Sequence, residues 1–269
     1  MPGRTDDVWS SFDSEFFPDI GEEEAMSETV PANEVRSTVA GHRQVLNILF
    51  IIDVSGSMRG QRIAMVNNAM ENIMKELRRR DDLNAVFKIA VMEFSETAEW
   101  VTPLPIPAED YVFRPIQATP WLTNFAPAFD ALNEKLSRKA FMNPDLGEYF
   151  APLVLFISDG EPCDPADFPN ALDRLHRNGW FRKSAKYAIA VGEDARTPEV
   201  VRLLSLFTGV QENVRYADEG EALCSLIEFV AVRASEVQTS MVSAPQDGSS
   251  GFSSIFNEKD ESLFSSIFG

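Results

Sequence analysis

The chain has 269 residues, of which 44% are hydrophobic, and it carries a formal net charge of −18. This length and hydrophobic fraction are enough for one sizeable folded core. The strong negative charge repels phosphate backbones and anionic lipids. It therefore excludes nucleic acid and membranes as main partners and favours divalent cations or basic protein surfaces.

The first segment, residues 1–40, contains ten acidic residues and two arginines. Such a segment cannot bury enough apolar surface to fold alone, and we predict that it is disordered. Aromatic residues stand among the acids, and this pattern is typical of docking segments that order on binding. We place the folded domain at residues 41–238.

The first half of this domain alternates strand-like and helix-like segments. Val45–Val54 is a nearly continuous apolar run and predicts a buried strand. Gln61–Arg80 carries apolar residues at helical spacing and predicts an amphipathic helix. Val86–Phe94 predicts a strand, and Glu99–Leu104, which runs into prolines, predicts a short edge strand.

The second half continues the alternation. In chain order we predict a helix at Phe125–Leu136, a strand at Pro152–Ser158, a helix that Asp164 caps and that ends near Arg177, a strand at Lys186–Val191, a helix at Pro198–Phe207, a strand at Val214–Tyr216 and a helix at Glu219–Gln238. This alternation predicts an α/β fold. We expect a doubly wound, mostly parallel sheet with helices on both faces and one antiparallel edge strand.

The stretch "DVSGSM" stands where the first strand ends. Alternate side chains of an extended loop face the same way, so we expect Asp53, Ser55 and Ser57 on one side. A second buried strand, "LVLFIS", is followed by Asp159. If the two strands are neighbours where the strand order reverses, both carboxylates meet at the edge where open α/β sheets bind ligands. Carboxylates and hydroxyls suit Mg²⁺, or alternatively Mn²⁺, better than zinc.

These residues resemble a known family. "DVSGSM" is similar to the D-x-S-x-S signature of the von Willebrand factor A (VWA) domain and its metal-ion-dependent adhesion site (MIDAS), and the resemblance covers Arg43–Val237. The family adds a threonine and an aspartate from two further loops, which Thr123 and Asp159 match in order and spacing. The resemblance implies that Ser55, Ser57 and Thr123 contact the metal directly. Asp53 and Asp159 would act through waters or by holding those hydroxyls.

The loop "ATPWLTN" departs from the family pattern because it lacks the usual glycines before the threonine. Thr119 is therefore a competing candidate, although a predicted helix follows Thr123 and not Thr119. The resemblance also implies a function. Neutral hydroxyls leave the charge of the ion poorly neutralised, so an acidic group of a protein partner completes its coordination.

Within the family, "LFIIDVSGSMRGQRI" and "LVLFISDGEPCD" are most similar to the bacterial tellurite-resistance TerY type. This resemblance implies an adaptor in stress response or phospho-signalling, with a Ser/Thr kinase and a PP2C-type phosphatase as partners. Two alternatives stay open: a regulatory or substrate subunit of an AAA+ ATPase of the MoxR or chelatase type, and a metal-dependent phosphohydrolase. We expect no enzyme activity, because the chain lacks a second carboxylate two residues after Asp53 and a phosphate-binding loop motif.

The tail, residues 239–269, is rich in Ser, Gly and Pro and contains "FSSIF" twice. Two copies of a short motif on a flexible tether raise the effective concentration for a multivalent partner. The simpler alternative is a disordered tail that repeats by accident. The predicted partner contacts are Phe252, Ile255, Phe256, Phe264, Ile267 and Phe268.

The compartment is predicted from three features of the sequence. The first residues lack a basic segment followed by an apolar one. No apolar run approaches the ~20 residues that a membrane-spanning helix needs. Two cysteines make no disulfide framework. We therefore expect a cytoplasmic protein with reduced thiols.

Overall fold

The computed structural model describes residues 44–79 and 85–217. Seven strands are found in the described residues: β1 (Gln44–Asp53), β2 (Ala85–Phe94), β3 (Ala98–Trp100), β4 (Ile106–Pro107), β5 (Leu153–Ser158), β6 (Ala185–Val191) and β7 (Val214–Ala217). They form one sheet in the order β3-β2-β1-β5-β6-β7, and β4 also pairs with β2. The strands β1, β2, β5, β6 and β7 are parallel, whereas β3 and β4 run antiparallel to β2. This mostly parallel sheet confirms the predicted fold class.

Helices cover both faces of the sheet. They are α1 (Gln61–Arg79), α2 (Phe125–Lys135), α3 (Phe168–Arg177), α4 (Gly179–Lys183) and α5 (Pro198–Thr208). Successive side chains of β1 point to opposite faces. Ile48 and Phe50 therefore pack in the core that α1 covers, while Leu49 and Ile51 pack in the core that α2, α3 and α5 cover.

Short 3₁₀ turns link several of these elements. They lie at Gly56–Met58, Pro144–Leu146, Glu193–Arg196 and Gln211–Asn213. The first of them directly follows the end of β1, and it carries the serine-containing stretch of the predicted site. The third follows β6 and contributes an acidic residue near that site.

The structure corrects one predicted helix start. The prediction that Asp164 caps the helix ending at Arg177 was wrong, because α3 begins at Phe168. The amides of Asp167 and Phe168 donate to the backbone carbonyl of Asp164, which makes residues 164–167 a turn. The Asp164 carboxylate instead accepts hydrogen bonds from α2.

Several predictions lie outside the described residues. They are the acidic segment at residues 1–40, the helix at Glu219–Gln238, and the tail contacts Phe252, Ile255, Phe256, Phe264, Ile267 and Phe268. Among the helices that are described, none combines the length and apolar character needed to cross a membrane.

Candidate metal site

The site forms where β1 and β5 end side by side. The two strands are parallel neighbours, with Ile52 opposite Ile157. The chain leaves β1 toward β2 on one side, and β5 lies on the other, so the strand order reverses here. This arrangement confirms that the strands carrying Asp53 and Asp159 are adjacent at the switch point, where open α/β sheets bind their ligands.

Asp53 is fully buried at the end of β1. Its Oδ1 accepts a hydrogen bond from the Ser55 amide at 2.8 Å, and its Oδ2 accepts one from the Ser158 hydroxyl at 2.7 Å. The pKa of Asp53 is raised to about 6, mainly by burial. The hydrogen bonds from Ser55 and Ser158 oppose this increase, and the negative charge of Asp159 adds to it. Because both oxygens have protein donors, Asp53 is placed to hold the serine loop.

Ser55, Ser57 and Asp159 form a short chain of hydrogen bonds. The hydroxyl oxygens of Ser55 and Ser57 lie 3.1 Å apart, and the Ser57 hydroxyl donates to Asp159 Oδ1 at 2.9 Å. Ser55 and Asp159 are buried, whereas Ser57 is exposed. The cluster therefore reaches the surface at Ser57.

Thr123 lies two residues before α2 and is buried. Its carbonyl accepts a hydrogen bond from the Cys163 amide at 2.6 Å. The Asp164 carboxylate accepts from the amides of Phe125 and Ala126 at 3.0 and 2.7 Å. These bonds fix the Thr123 loop against the loop that carries Asp159, and Asp164 caps α2 from another part of the chain.

The competing candidate, Thr119, has a different role. Its amide and its hydroxyl both donate to the Val54 carbonyl, at 2.6 and 2.9 Å. The Gly56 amide donates to the Trp121 carbonyl at 2.9 Å. Thr119 thus anchors its own loop to the serine loop. Trp121 and Leu122 project from that loop and are 55% and 58% exposed.

Sequence reasoning missed an arginine at this site. Arg62 Nη1 donates to Asp159 Oδ2 at 2.6 Å and to the Ser57 carbonyl at 3.1 Å, and Nη2 donates to Asp194 Oδ2 at 2.7 Å. Burial lowers the pKa of Arg62, but the charge of Asp159 and the bonds to both aspartates outweigh it and raise the pKa overall. Arg62 lies in the quoted stretch "MRGQRI", yet nothing in the sequence marks its partners.

Two further residues were missed for similar reasons. Ser158 directly precedes Asp159 and donates a hydrogen bond to Asp53. The sequence signal that could have found it is its position at the carboxyl end of a predicted strand. Asp194 lies in the turn after β6, far along the chain from its partner Arg62. Only the folded sheet brings that turn beside the β1 and β5 loops.

The residues that are present fit a hard divalent cation. Within the described part of the chain, no group of three or more His, Cys, Asp or Glu side chains could hold a metal. The donor set is instead two carboxylates and three hydroxyls, all oxygen, as Mg²⁺ and Mn²⁺ prefer. The Thr123 hydroxyl makes no hydrogen bond to any described residue. It could therefore coordinate a metal without first breaking a bond to a described residue.

Part of the chain is similar to a known protein family. Residues 48–161, a stretch that includes all five candidate ligands, match the model of the von Willebrand factor type A domain.

Two curated relatives share part of this chain. One is inter-alpha-trypsin inhibitor heavy chain H6 from Homo sapiens, 26% identical over 189 residues, which are 66% of this chain and 14% of that protein. The other is inter alpha-trypsin inhibitor, heavy chain 4, from Mus musculus, 24% identical over 185 residues, which are 66% of this chain and 19% of that protein. The chain thus spans less than a fifth of the length of either relative.

Solved structures share the fold. A von Willebrand factor type A protein from Catenulispora acidiphila is 16% identical, with a TM-score of 0.53 over 71% of this chain and 43% of that one. The pilus adhesin SpaC from Lactobacillus rhamnosus GG is 11% identical, with a TM-score of 0.55 over 72% and 30%. Proximal thread matrix protein 1 from the mussel byssus, with a zinc-occupied MIDAS motif, is 15% identical, with a TM-score of 0.51 over 72% and 48%.

Proposed function

We propose that this chain contains a VWA domain and that it binds a protein partner through a divalent metal held by Ser55, Ser57 and Thr123, with Asp53 and Asp159 supporting those hydroxyls. The observation that carries the proposal is the linked cluster at the ends of β1 and β5. Ser57 bonds to Asp159, and Ser55 lies 3.1 Å from Ser57. Asp53 holds the same loop from beneath.

We propose Mg²⁺ as the resident ion, with Mn²⁺ as a substitute. The mussel protein with a zinc-occupied motif supports a divalent ion at this kind of site. When bound, the ion supplies a Lewis-acidic position that attracts an anionic oxygen. The protein side chains orient that position, since a set of neutral hydroxyls leaves room for one more negatively charged ligand.

The partner then offers an acidic residue to the site. Its approach passes Trp121 and Leu122, because the Gly56–Trp121 backbone bond fixes their loop beside Ser55 and Ser57. Tryptophan is enriched among the residues that contribute most to protein interfaces, so Trp121 is the expected anchor and Leu122 adds apolar contact beside it. We propose a binding role without catalysis, in a cytoplasmic protein.

The biological setting remains a prediction from sequence resemblance. We propose a signalling adaptor of the TerY type, in stress response or phospho-signalling, with a Ser/Thr kinase or a PP2C-type phosphatase as the partner. The two "FSSIF" motifs would provide a second, metal-independent contact.

Calorimetric titration of the full chain with Mg²⁺ tests the metal, and capture of candidate kinase, phosphatase and AAA+ proteins with Mg²⁺ or EDTA tests the partner. We expect saturable Mg²⁺ binding that Ser57→Ala abolishes, and capture that EDTA abolishes. Capture that is unchanged in EDTA would contradict the metal-dependent mechanism. Hydrolysis of a phosphorylated substrate that Asp53→Ala abolishes would overturn the non-enzymatic role.

A further inference from the structure

Arg62 places a permanent positive charge at the candidate metal site. Its Nη1 lies 2.6 Å from Asp159 Oδ2, and the Asp159 side chain is 1% exposed. The other oxygen of Asp159 accepts the Ser57 hydroxyl. Asp159 is therefore shared between a cation from the protein itself and the hydroxyl cluster that would hold the metal.

The site is shaped to keep Arg62 there. Gly192, whose φ is +93°, follows β6, and a Cβ atom at this position would lie 2.8 Å from Arg62 Nε. A side chain at residue 192 would therefore displace the guanidinium. The second ion pair of Arg62 is with Asp194, whose side chain is 83% exposed, and an ion pair so accessible to solvent contributes little. The position of the Arg62 guanidinium is therefore set mainly by its ion pair with the buried Asp159.

We propose that Arg62 sets the electrophilicity of the bound metal: it weakens metal binding and strengthens the binding of an anionic partner to the metal. This inference rests on the proposed function. With Asp53 and Asp159 ionised, the two carboxylates would fully balance a divalent ion. Arg62 removes one unit of that negative charge, so the loaded site keeps a net positive charge. That charge is the attraction that the partner's acidic group experiences.

Loss of the Arg62 charge should change the metal affinity and the anion affinity in opposite directions. Replacing Arg62 with a neutral residue should tighten the metal and loosen the anion. A merely structural role predicts something different, because loss of the bonds to Asp159 and to the Ser57 carbonyl would loosen the site and weaken both steps. One unit of charge beside a divalent ion corresponds to an affinity change of about tenfold at a partly screened site.

The test uses the full chain with Mn²⁺ and acetate as probes. The electron paramagnetic resonance signal of free Mn²⁺ gives the metal affinity, and the fall in water-proton relaxation when acetate displaces bound water gives the anion affinity. We expect Arg62→Gln to bind Mn²⁺ about tenfold more tightly and acetate about tenfold more weakly than the wild type. Arg62→Lys keeps the charge and should stay close to the wild type in both steps.

A matched control removes the same charge elsewhere. Arg174→Gln loses an ion pair with Asp130 that joins α3 to α2, and it should leave both affinities unchanged. Weaker or unchanged Mn²⁺ binding by Arg62→Gln would overturn the inference while leaving the proposed function intact. Equal tightening by Arg62→Lys would also overturn it, since charge would not be the cause. Absence of Mn²⁺ binding by the wild type would overturn the proposed function and this inference together.

Discussion

The Ser57 hydroxyl donates a hydrogen bond to Asp159 Oδ1 at 2.9 Å and so joins two residues that lie 102 positions apart in the chain. The bond exists because β1 and β5 are parallel neighbours whose carboxyl ends meet at one edge. It connects the first and third loops of the candidate site.

Thr123→Ala should remove a metal ligand at little cost to the fold. Its hydroxyl makes no hydrogen bond to a described residue, so the loss is mainly of one buried methyl group, about 1 kcal/mol of the free energy of unfolding. We expect the Mg²⁺ affinity to fall by about tenfold or more, since one of the few direct ligands is lost. Calorimetric titration and thermal unfolding measure the two effects.

Thr119→Ala is the matched control for that variant. It loses the hydroxyl bond to the Val54 carbonyl and should lower the free energy of unfolding by about 1 kcal/mol. Its Mg²⁺ affinity should stay near that of the wild type. The reverse pattern, with Mg²⁺ binding lost in Thr119→Ala and kept in Thr123→Ala, would assign the ligand role to Thr119.

Asp164→Ala should lower the Mg²⁺ affinity although Asp164 is not one of the proposed ligands. The Asp164 carboxylate caps α2 through the amides of Phe125 and Ala126, and its loss should destabilise the protein by about 1 kcal/mol. The freed Thr123 loop should also reduce the Mg²⁺ affinity. Asp167→Ala is the control, because Asp167 makes no side-chain cap bond at α3. Equal effects of the two variants on Mg²⁺ affinity would show that the cap does not position the Thr123 loop.

Trp121→Ala and Leu122→Ala should separate partner binding from metal binding. Both side chains are more than half exposed, so stability and Mg²⁺ affinity should change little. Capture of the partner should weaken, because the Trp121 carbonyl is bonded to Gly56 in the serine loop and both side chains therefore lie beside the candidate metal site. Val112→Ala removes an exposed apolar side chain from another loop and should leave capture unchanged. Full capture by both loop variants would place the interface elsewhere.

Glu93→Gln should stabilise the protein in a pH-dependent way. Glu93 lies opposite Glu99 across β2 and β3. Burial, and then the charge of Glu99, raises the pKa of Glu93 above its ordinary 4.5. The ionised form is thus disfavoured by folding, and the wild type loses stability as the pH rises from 4.5 through the folded-state pKa.

The glutamine variant does not carry that cost. Its melting temperature should exceed that of the wild type at pH 8, and the difference should be much smaller at pH 4, where Glu93 is mostly protonated in both the folded and the unfolded wild type. Thermal unfolding across this range measures the difference. A variant that is less stable than the wild type at pH 8 would show that Glu93 gains more from its ionised contacts than it loses by burial.

The sequence predicted the fold well because its strands are buried on both faces and therefore read as continuous apolar runs. Val45–Val54 and Pro152–Ser158 were placed to within one residue of β1 and β5. The predicted site requires these two strands to be neighbours, and in the structure they pair in parallel. A short hydrophobic strand that ends in an acidic or hydroxyl residue can be recognised in a single sequence, and it indicates a ligand site at the carboxyl edge of the sheet.

The missed contacts depend on the tertiary structure. Asp164 looked like a cap for the helix that follows it, since Asp before Pro is typical of a helix start, but its carboxylate faces a different helix. In the sequence, Arg62 is one of several polar residues on the solvent-facing side of the amphipathic helix α1. Arg62 pairs with Asp159 and Asp194 only because the loops after β1, β5 and β6 meet at one edge of the sheet. No local sequence pattern encodes this proximity.

We propose that five side chains from three loops form one metal site, and an anomalous difference map from crystals of the full chain soaked in Mn²⁺ locates the ion. We expect one peak within about 2.2 Å of the hydroxyl oxygens of Ser55, Ser57 and Thr123, a separation typical of a hard divalent cation and its oxygen ligands. Absence of a peak at these oxygens, or a peak bound by other residues, would refute the proposed site.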